Sequence, residues 1–368
     1  MKKKIGSLLI AFTLVMPLML TGCGTDKKTE TKGTQKKEIN VGFIYVGPVG
    51  DEGWTYSHDV ARKELEKQLA VKTLYKESVK EDLAEVEKAC EEMINQGASV
   101  IVGTSFGFMD GMEASAAKHP EVKYLHASGY KTSENMSNYF GRIYQARYLS
   151  GIVAGMKTKT NKIGYAAAHP IPEVIRGINA FALGVQSVNP KAVVKVKWTN
   201  TWYDPAREKE AGKALIAEGV DVITQHQDTA GPLQAAEEAG ISAIGYNTDM
   251  KAKAPKAYMT SPVWNWTPYY VEQIKAIKAG TWKSGSYWKG LESGVVNLAP
   301  LTENAPTGAK EAVEKAKAEI LSGKNKIFVG PLKDQAGTSK IEKGKVMTDE
   351  ELLQFNWFVK GVEGKIEK

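Results

Sequence analysis

Two tryptophans and one aspartate are the residues of this 368-residue chain best suited to holding a ligand. Trp54 stands in Gly47-Pro48-Val49-Gly50-Asp51-Glu52-Gly53-Trp54-Thr55-Tyr56, and Trp202 in Asn200-Thr201-Trp202-Tyr203-Asp204-Pro205. Each indole has a large flat apolar face, costly to leave in water without a use. Two such faces turned toward each other would clamp a planar ring, and stacking one base on an aromatic is worth roughly 1–3 kcal/mol. A two-sided stack of about 2–6 kcal/mol covers half or more of the ~8 kcal/mol that micromolar binding requires. Hydrogen bonds must supply the rest, and the selectivity. Gln225-His226-Gln227-Asp228-Thr229 is unusually polar for the end of the run Val220-Asp221-Val222-Ile223. An ionised Asp228 can only accept, so it suits the N–H edge of a purine.

Other chemistry is less well supported. Gly103-Thr104-Ser105-Phe106-Gly107 matches the G-x-S-x-G nucleophile elbow and lies between an expected strand and an expected helix. A serine hydrolase using Ser105 would also need a histidine late in the chain, after an acid, and the last histidine is His226. No HGGG-type oxyanion loop is present, and in a chain with 35 glycines the match alone is a weak signal. In the alternative reading Phe106 and Phe108 line a cleft while Ser105 and Gly107 permit the turn. Five scattered histidines, two cysteines and no HExxH argue against a metal or iron–sulfur centre. No metal, no cofactor and no enzymatic activity are expected.

The elements that must position these residues follow from hydropathy. Short apolar runs (Asn40–Val46, Val71–Lys76, Ser99–Thr104, Val122–Ser128, Lys162–Ala168, Val193–Thr199, Val220–Gln225, Ile241–Tyr246) alternate with helical periods such as Leu83–Asn95 and Arg207–Ala217. Such alternation predicts parallel sheets covered by helices. Met93–Ile101 is echoed by Leu215–Ile223, each a helix end, a glycine (Gly97, Gly219) and a strand, which predicts two similar α/β lobes in tandem. Ligands of open α/β sheets bind outside the carboxyl ends of the strands. The loops to inspect are therefore Gly47–Thr55, Ser105–Met109, Asn200–Asp204, His226–Thr229 and Asn247–Met250. Asp204 is expected to cap the following helix, with Pro205 at its first position. Cys90 sits at helical spacing among apolar residues and reads as a core thiol.

Lys2, Lys3 and Lys4 precede the apolar run Ile5–Leu20, after which comes Leu20-Thr21-Gly22-Cys23. That is the layout of a signal peptide over residues 1–22, too short to span a bilayer as a helix. The order leucine, small, glycine, cysteine resembles the lipobox of bacterial lipoproteins, which implies lipidation of Cys23. Residues 23–38 lack large apolar groups and read as a flexible tether. The formal charge of +7 belongs mainly to signal and tether, leaving about +2 on the body, so no nucleic-acid partner is expected.

The segment Asn40–Asp59, together with Thr104–Asp110, Pro172–Asn179, Gln186–Pro190, Gln225–Asp228 and Gly280–Ser284, resembles the BMP (basic membrane protein) family of ABC-transporter substrate-binding lipoproteins. The resemblance implies a type I periplasmic-binding-protein fold, in which two doubly wound α/β lobes close about a hinge over an interlobe cleft. The expected lobes are residues 39–144 plus about 262–290, and 145–261 plus about 291–368. It also implies an extracytoplasmic, membrane-anchored monomer that hands its ligand to ABC permease subunits. The nucleoside-binding branch carries a lysine after a Thr-Ser pair, whereas Thr260-Ser261-Pro262-Val263-Trp264 brings Trp264 there. Asp249 matches an acid of that branch. The Gly-Trp-Thr-Tyr and Gln-His-x-Asp signatures instead look like the branch that binds free purine bases. By this resemblance Trp54 and Trp202 stack, Asp228 takes the hydrogen-bonding edge, and Phe106 and Asp249 line the cleft. A purine base is the first expectation, a purine nucleoside the second and a sugar the third.

Overall fold

A parallel strand covered on both faces needs apolar side chains on both. Asn40–Ile44 (β1) meets that condition, with its last four residues fully buried. The computed structural model describes residues 39–366, so the expected signal peptide, Cys23 and tether lie outside the described residues.

β1 is followed by Lys72–Lys76 (β2), Val100–Gly103 (β3), Lys123–Ala127 (β4) and Met136–Gly141 (β5). The next five strands are Lys162–Ala167 (β6), Val193–Trp198 (β7), Val222–His226 (β8), Ser242–Ile244 (β9) and Tyr258–Thr260 (β10). Pro262–Trp264 (β11), Ser286–Lys289 (β12), Val296–Leu298 (β13), the pair Leu332–Lys333 (β14) and Ser339–Ile341 (β15), and Val362–Glu363 (β16) complete the set. They form two six-stranded sheets, β12-β5-β4-β3-β1-β2 and β10-β9-β8-β6-β7-β16, in which every neighbouring pair is parallel. The order 2-1-3-4-5 of the first sheet recurs in the second as β7-β6-β8-β9-β10, the physical basis of the sequence echo. In each the order reverses beside the opening strand, and there a crevice forms at the strands' carboxyl ends.

The helices behave as the caps dictate. Trp54–Leu69 (α1) starts where the Asp51 carboxylate accepts from the backbone N–H groups of Gly53, Thr55 and Tyr56 at 2.8–2.9 Å. Leu83–Asn95 (α2) is capped by Asp82, and Met109–Lys118 (α3) follows a short turn over Phe106–Phe108. Tyr144–Lys157 (α4) packs against Pro172–Val188 (α5), and Gly151 and Gly184 let their backbones approach, since a Cβ on either would fall 2.0–2.1 Å from a carbonyl oxygen of the other helix. Pro205–Ala217 (α6) carries Asp204 as its cap and Pro205 in its first turn, as the sequence predicts. Gly231–Glu238 (α7), Thr267–Lys278 (α8), Ala309–Leu321 (α9) and Asp349–Leu353 (α10) follow. Gly97 and Gly219 adopt φ of 92° and 84°, the left-handed turn that returns a helix into a strand. Cys90 is fully buried among apolar side chains, and burial pushes its thiol up to about 12.

The chain passes between the sheets three times, after β5, after β10 and after β12. The second and third passages pair with each other as the antiparallel ribbon β11–β13.

Candidate ligand-binding site

A narrow cavity of about 30 Å³ lies between the two sheets at their carboxyl ends, with Trp54, Phe106, Trp202 and Asp228 all on its wall. Trp54 opens α1 and is only 9% exposed. Its indole N–H donates to the Thr104 carbonyl at 2.6 Å, and the edges of Trp264 and Trp266 meet it at 5.8 and 5.7 Å. Trp202 comes from the loop before α6 and is partly buried, with His169 edge-on at 4.8 Å. Its carbonyl accepts from the Asp228 N–H at 3.3 Å, which ties the two cleft loops of the second sheet together.

Asp228 is 4% exposed, and the hydrogen bond its carboxylate receives is from Asn247 Nδ2, at 3.3 Å. Burial, then the negative Asp51 and Glu208 nearby, hold its carboxyl well above the usual range, against the Asn247 bond. None of the residues lining the cavity is a lysine or arginine. A carboxylate so placed lacks donors, and a ligand with N–H groups supplies them. Burial likewise raises Asp51 to about 6, although three backbone N–H groups oppose it.

Asp249 is not brought to this cavity. It is exposed, and its carboxylate turns back to accept from the Lys251 N–H at 3.0 Å, an Asx turn that spends the acceptor locally. Ser105 donates its hydroxyl to the Glu81 carboxylate, while the imidazole nearby, His126 Nε2, meets the Ser105 carbonyl at 2.7 Å. Its backbone is extended, φ −147° and ψ 149°, rather than a strained elbow. Burial lowers His126 to about 4. The arrangement contains no activated serine.

Sequence reasoning missed several cavity residues. Glu173 opens α5 and meets His226 Nε2 at 3.5 Å; its other oxygen accepts the Ser128 hydroxyl from the opposite lobe. Burial lowers His226 to about 4, so its imidazole is neutral at physiological pH. Ser128 and Glu173 follow β4 and β6, whose strand-end loops were not among those singled out above, and the position of these loops in the chain was a usable signal. Trp264, where the nucleoside branch has a cation, stacks on Trp266 at 4.5 Å and donates to Asn247 Oδ1 at 3.1 Å.

The two halves touch around the cavity. The Thr248 hydroxyl donates to the Glu52 carbonyl at 2.5 Å, and Lys253 pairs with the Glu52 carboxylate. Gly53 lies so close to Asp228 that a Cβ there would fall 2.3 Å from its carbonyl oxygen.

With this geometry in hand, residues 38–334 match the Bmp family, described as ABC transporter substrate-binding protein PnrA-like. The chain belongs to that family. A purine-binding protein of Brucella abortus is 45% identical over 90% of this chain and 95% of its own length. A Haloferax volcanii protein, provisionally named an ABC transporter glucose-binding protein, is 39% identical over 94% of this chain and 86% of its own. Among solved structures, an ABC transporter solute-binding protein of Aeropyrum pernix superposes with a TM-score of 0.69 at 20% identity, covering 87% of this chain and all of that one. The fold is that of the type I periplasmic binding proteins, as the resemblance implied. This Bmp-family chain therefore has solute-binding proteins rather than enzymes as its kin. Among the described residues no helix is long and apolar enough to cross a membrane.

Proposed function

We propose that this Bmp-family protein captures a purine base, such as adenine, hypoxanthine or guanine, outside the cytoplasm and delivers it to an ABC permease. Trp54 and Trp202 sandwich the ring, Phe106 closes one side, and Asp228 accepts from the base's N–H edge. The observation that carries this reading is Asp228, a buried carboxylate without a cationic partner on the wall of a small aromatic cavity. The purine-binding relative supports it. Closure is a hinge motion about the three passages between the lobes, and ligand shifts the population toward the closed form because both lobes contribute to the sandwich. Cys23 carries the lipid anchor, and the protein works as a monomer.

Titration calorimetry with a panel of bases, nucleosides and sugars tests the reading. Bases bind at micromolar concentration, nucleosides more weakly because no lysine or arginine lines the cavity, and ribose and glucose not at all. Glucose binding without base binding would return the protein to the sugar class of its Haloferax relative. Incorporation of labelled fatty acid, lost in Cys23→Ala, tests the anchor.

A further inference from the structure

A second and larger cavity, about 700 Å³ and continuous with solvent, adjoins the first. The two share Phe106, Ser128 and Glu173 as a common wall. That wall is made of side chains, and one hydrogen bond, from the Ser128 hydroxyl to the Glu173 carboxylate, spans it from lobe to lobe. Ser128 is held at φ 70°, a left-handed conformation that a serine rarely adopts and that concentrates at clamps and switches.

The far wall comes from the C-terminal part of the chain. Asp349, Glu350, Leu353 and Gln354 form it, and they lie beyond residue 334, where the family match ends. The short helix α10 that carries them is fastened deliberately. Arg142 holds Asp349 by a bidentate pair at 2.8 and 2.6 Å, Arg176 donates to the Leu352 carbonyl at 2.7 Å, and a Thr348–Glu351 capping box fixes the first turn. Arg142 and Arg176 also lie against the Trp288 ring, at 4.2 and 5.0 Å, and so lock a third wall. Tyr130, Ile171, Pro172 and Tyr287 make the lining mainly apolar, and Tyr130 and Leu353 stand 65% and 49% exposed. Exposed aromatic and aliphatic groups around a pre-formed, rigidly held chamber next to a ligand site mark a surface that a ligand covers.

We propose that this chamber is a subsite for a substituent on the base, so that the substrate class includes purines bearing a planar or apolar group on the edge that faces Ser128 and Glu173. The inference rests on the purine reading above. The base occupies the small cavity with its N–H edge on Asp228. The substituent passes the Ser128–Glu173 partition and packs against Tyr130, Tyr287 and Leu353.

Adenine, 6-benzylaminopurine and 9-benzyladenine, titrated by calorimetry into the full chain, provide the test. The two benzyl isomers place the same ring on different edges. Because the chamber lies off one side of the base, one isomer is expected to bind at least as tightly as adenine and the other more weakly by about tenfold or more. In Leu353→Asp, an exposed position at the end of α10, the favoured isomer loses about tenfold relative to adenine. Adenine binding with both isomers excluded overturns the subsite and leaves the purine reading standing. Equal binding of both isomers, unmoved by Leu353→Asp, also overturns it. If adenine itself fails to bind, the purine reading is what falls.

Discussion

Trp54 and Trp202 face one cavity from unlike surroundings, so their removal should separate binding from stability. Trp202 sits on a loop and is partly buried. Trp202→Ala should cost the ~1–3 kcal/mol of one stacking face, roughly 5- to 150-fold in affinity, with thermal unfolding unchanged. Trp54 is wedged among Trp264, Trp266 and His58 and spends its N–H on Thr104. Trp54→Ala should therefore also destabilise the fold, by about 3–5 kcal/mol. Calorimetric titration paired with chemical unfolding distinguishes the two; equal stabilities would mean that Trp54 is no part of the core. Asp228 gives a pH signature. In the proposed complex the N–H donors of the base stabilise its carboxylate, so its pKa there is expected to be lower than in the free protein. Affinity is then full above the free-state pKa and falls as pH drops through it toward the pKa of the complex. Burial raises the free-state pKa, so the loss should begin well above the ~3.9 of an ordinary aspartate. Asp228→Asn should flatten the profile and lose about ten- to a hundredfold at neutral pH. A flat wild-type profile would remove Asp228 from the site.

At the scale of elements, much of the fold was legible because caps and periods are local. The helix 83–95 has the bounds the sequence predicts, its start fixed by Asp82, and α9 buries the helically spaced Ala309, Val313, Ala316 and Ile320. α4 was not legible, since buried residues surround it on most sides and leave no stripe. β5 was missed because Met-Ser-Asn-Tyr-Phe-Gly reads as a loop, although all six residues are buried by the strands on either side. Tertiary pairing decides such segments. The same split runs through the site. Trp54, Phe106, Trp202 and Asp228 reach one cavity because each follows a parallel strand. Asp249 follows one too, but its own backbone turn consumes its carboxylate, a competition that no spacing rule registers. The C-cap glycines carry a testable consequence. Gly97→Ala forces an L-residue into a left-handed turn with φ 92°, at a cost of about 1–2 kcal/mol. A lower urea midpoint with unchanged ligand affinity is expected, because the turn is at the end of the sheet opposite the cleft.

On the scale of the whole molecule, the proposed capture mechanism turns on the balance between open and closed lobes, and Gly53 sits where the two lobes touch. The backbone of Gly53, at the start of α1, rests on the backbone of Asp228, at the end of β8, with room for a hydrogen and not for a methyl. The obstructing atom is a carbonyl oxygen, not the end of a flexible side chain, so it cannot swing aside. Gly53→Ala should leave each lobe folded, because the added methyl points at the other lobe, yet it should deny the closed form its contact. The Thr248–Glu52 and Lys253–Glu52 links around it would be lost at the same time, since they depend on the same approach. Each ~1.4 kcal/mol taken from the closed form lowers affinity about tenfold, so a loss of tenfold or more is expected for every ligand of the wild type, whatever its substituents. Small-angle scattering supplies the independent readout: the radius of gyration of the wild type should fall on adding purine, and that of Gly53→Ala should not. A Gly53→Ala protein that contracts and binds like the wild type would mean that the lobes close without bringing Asp228 against α1. Capture would then belong to one lobe alone.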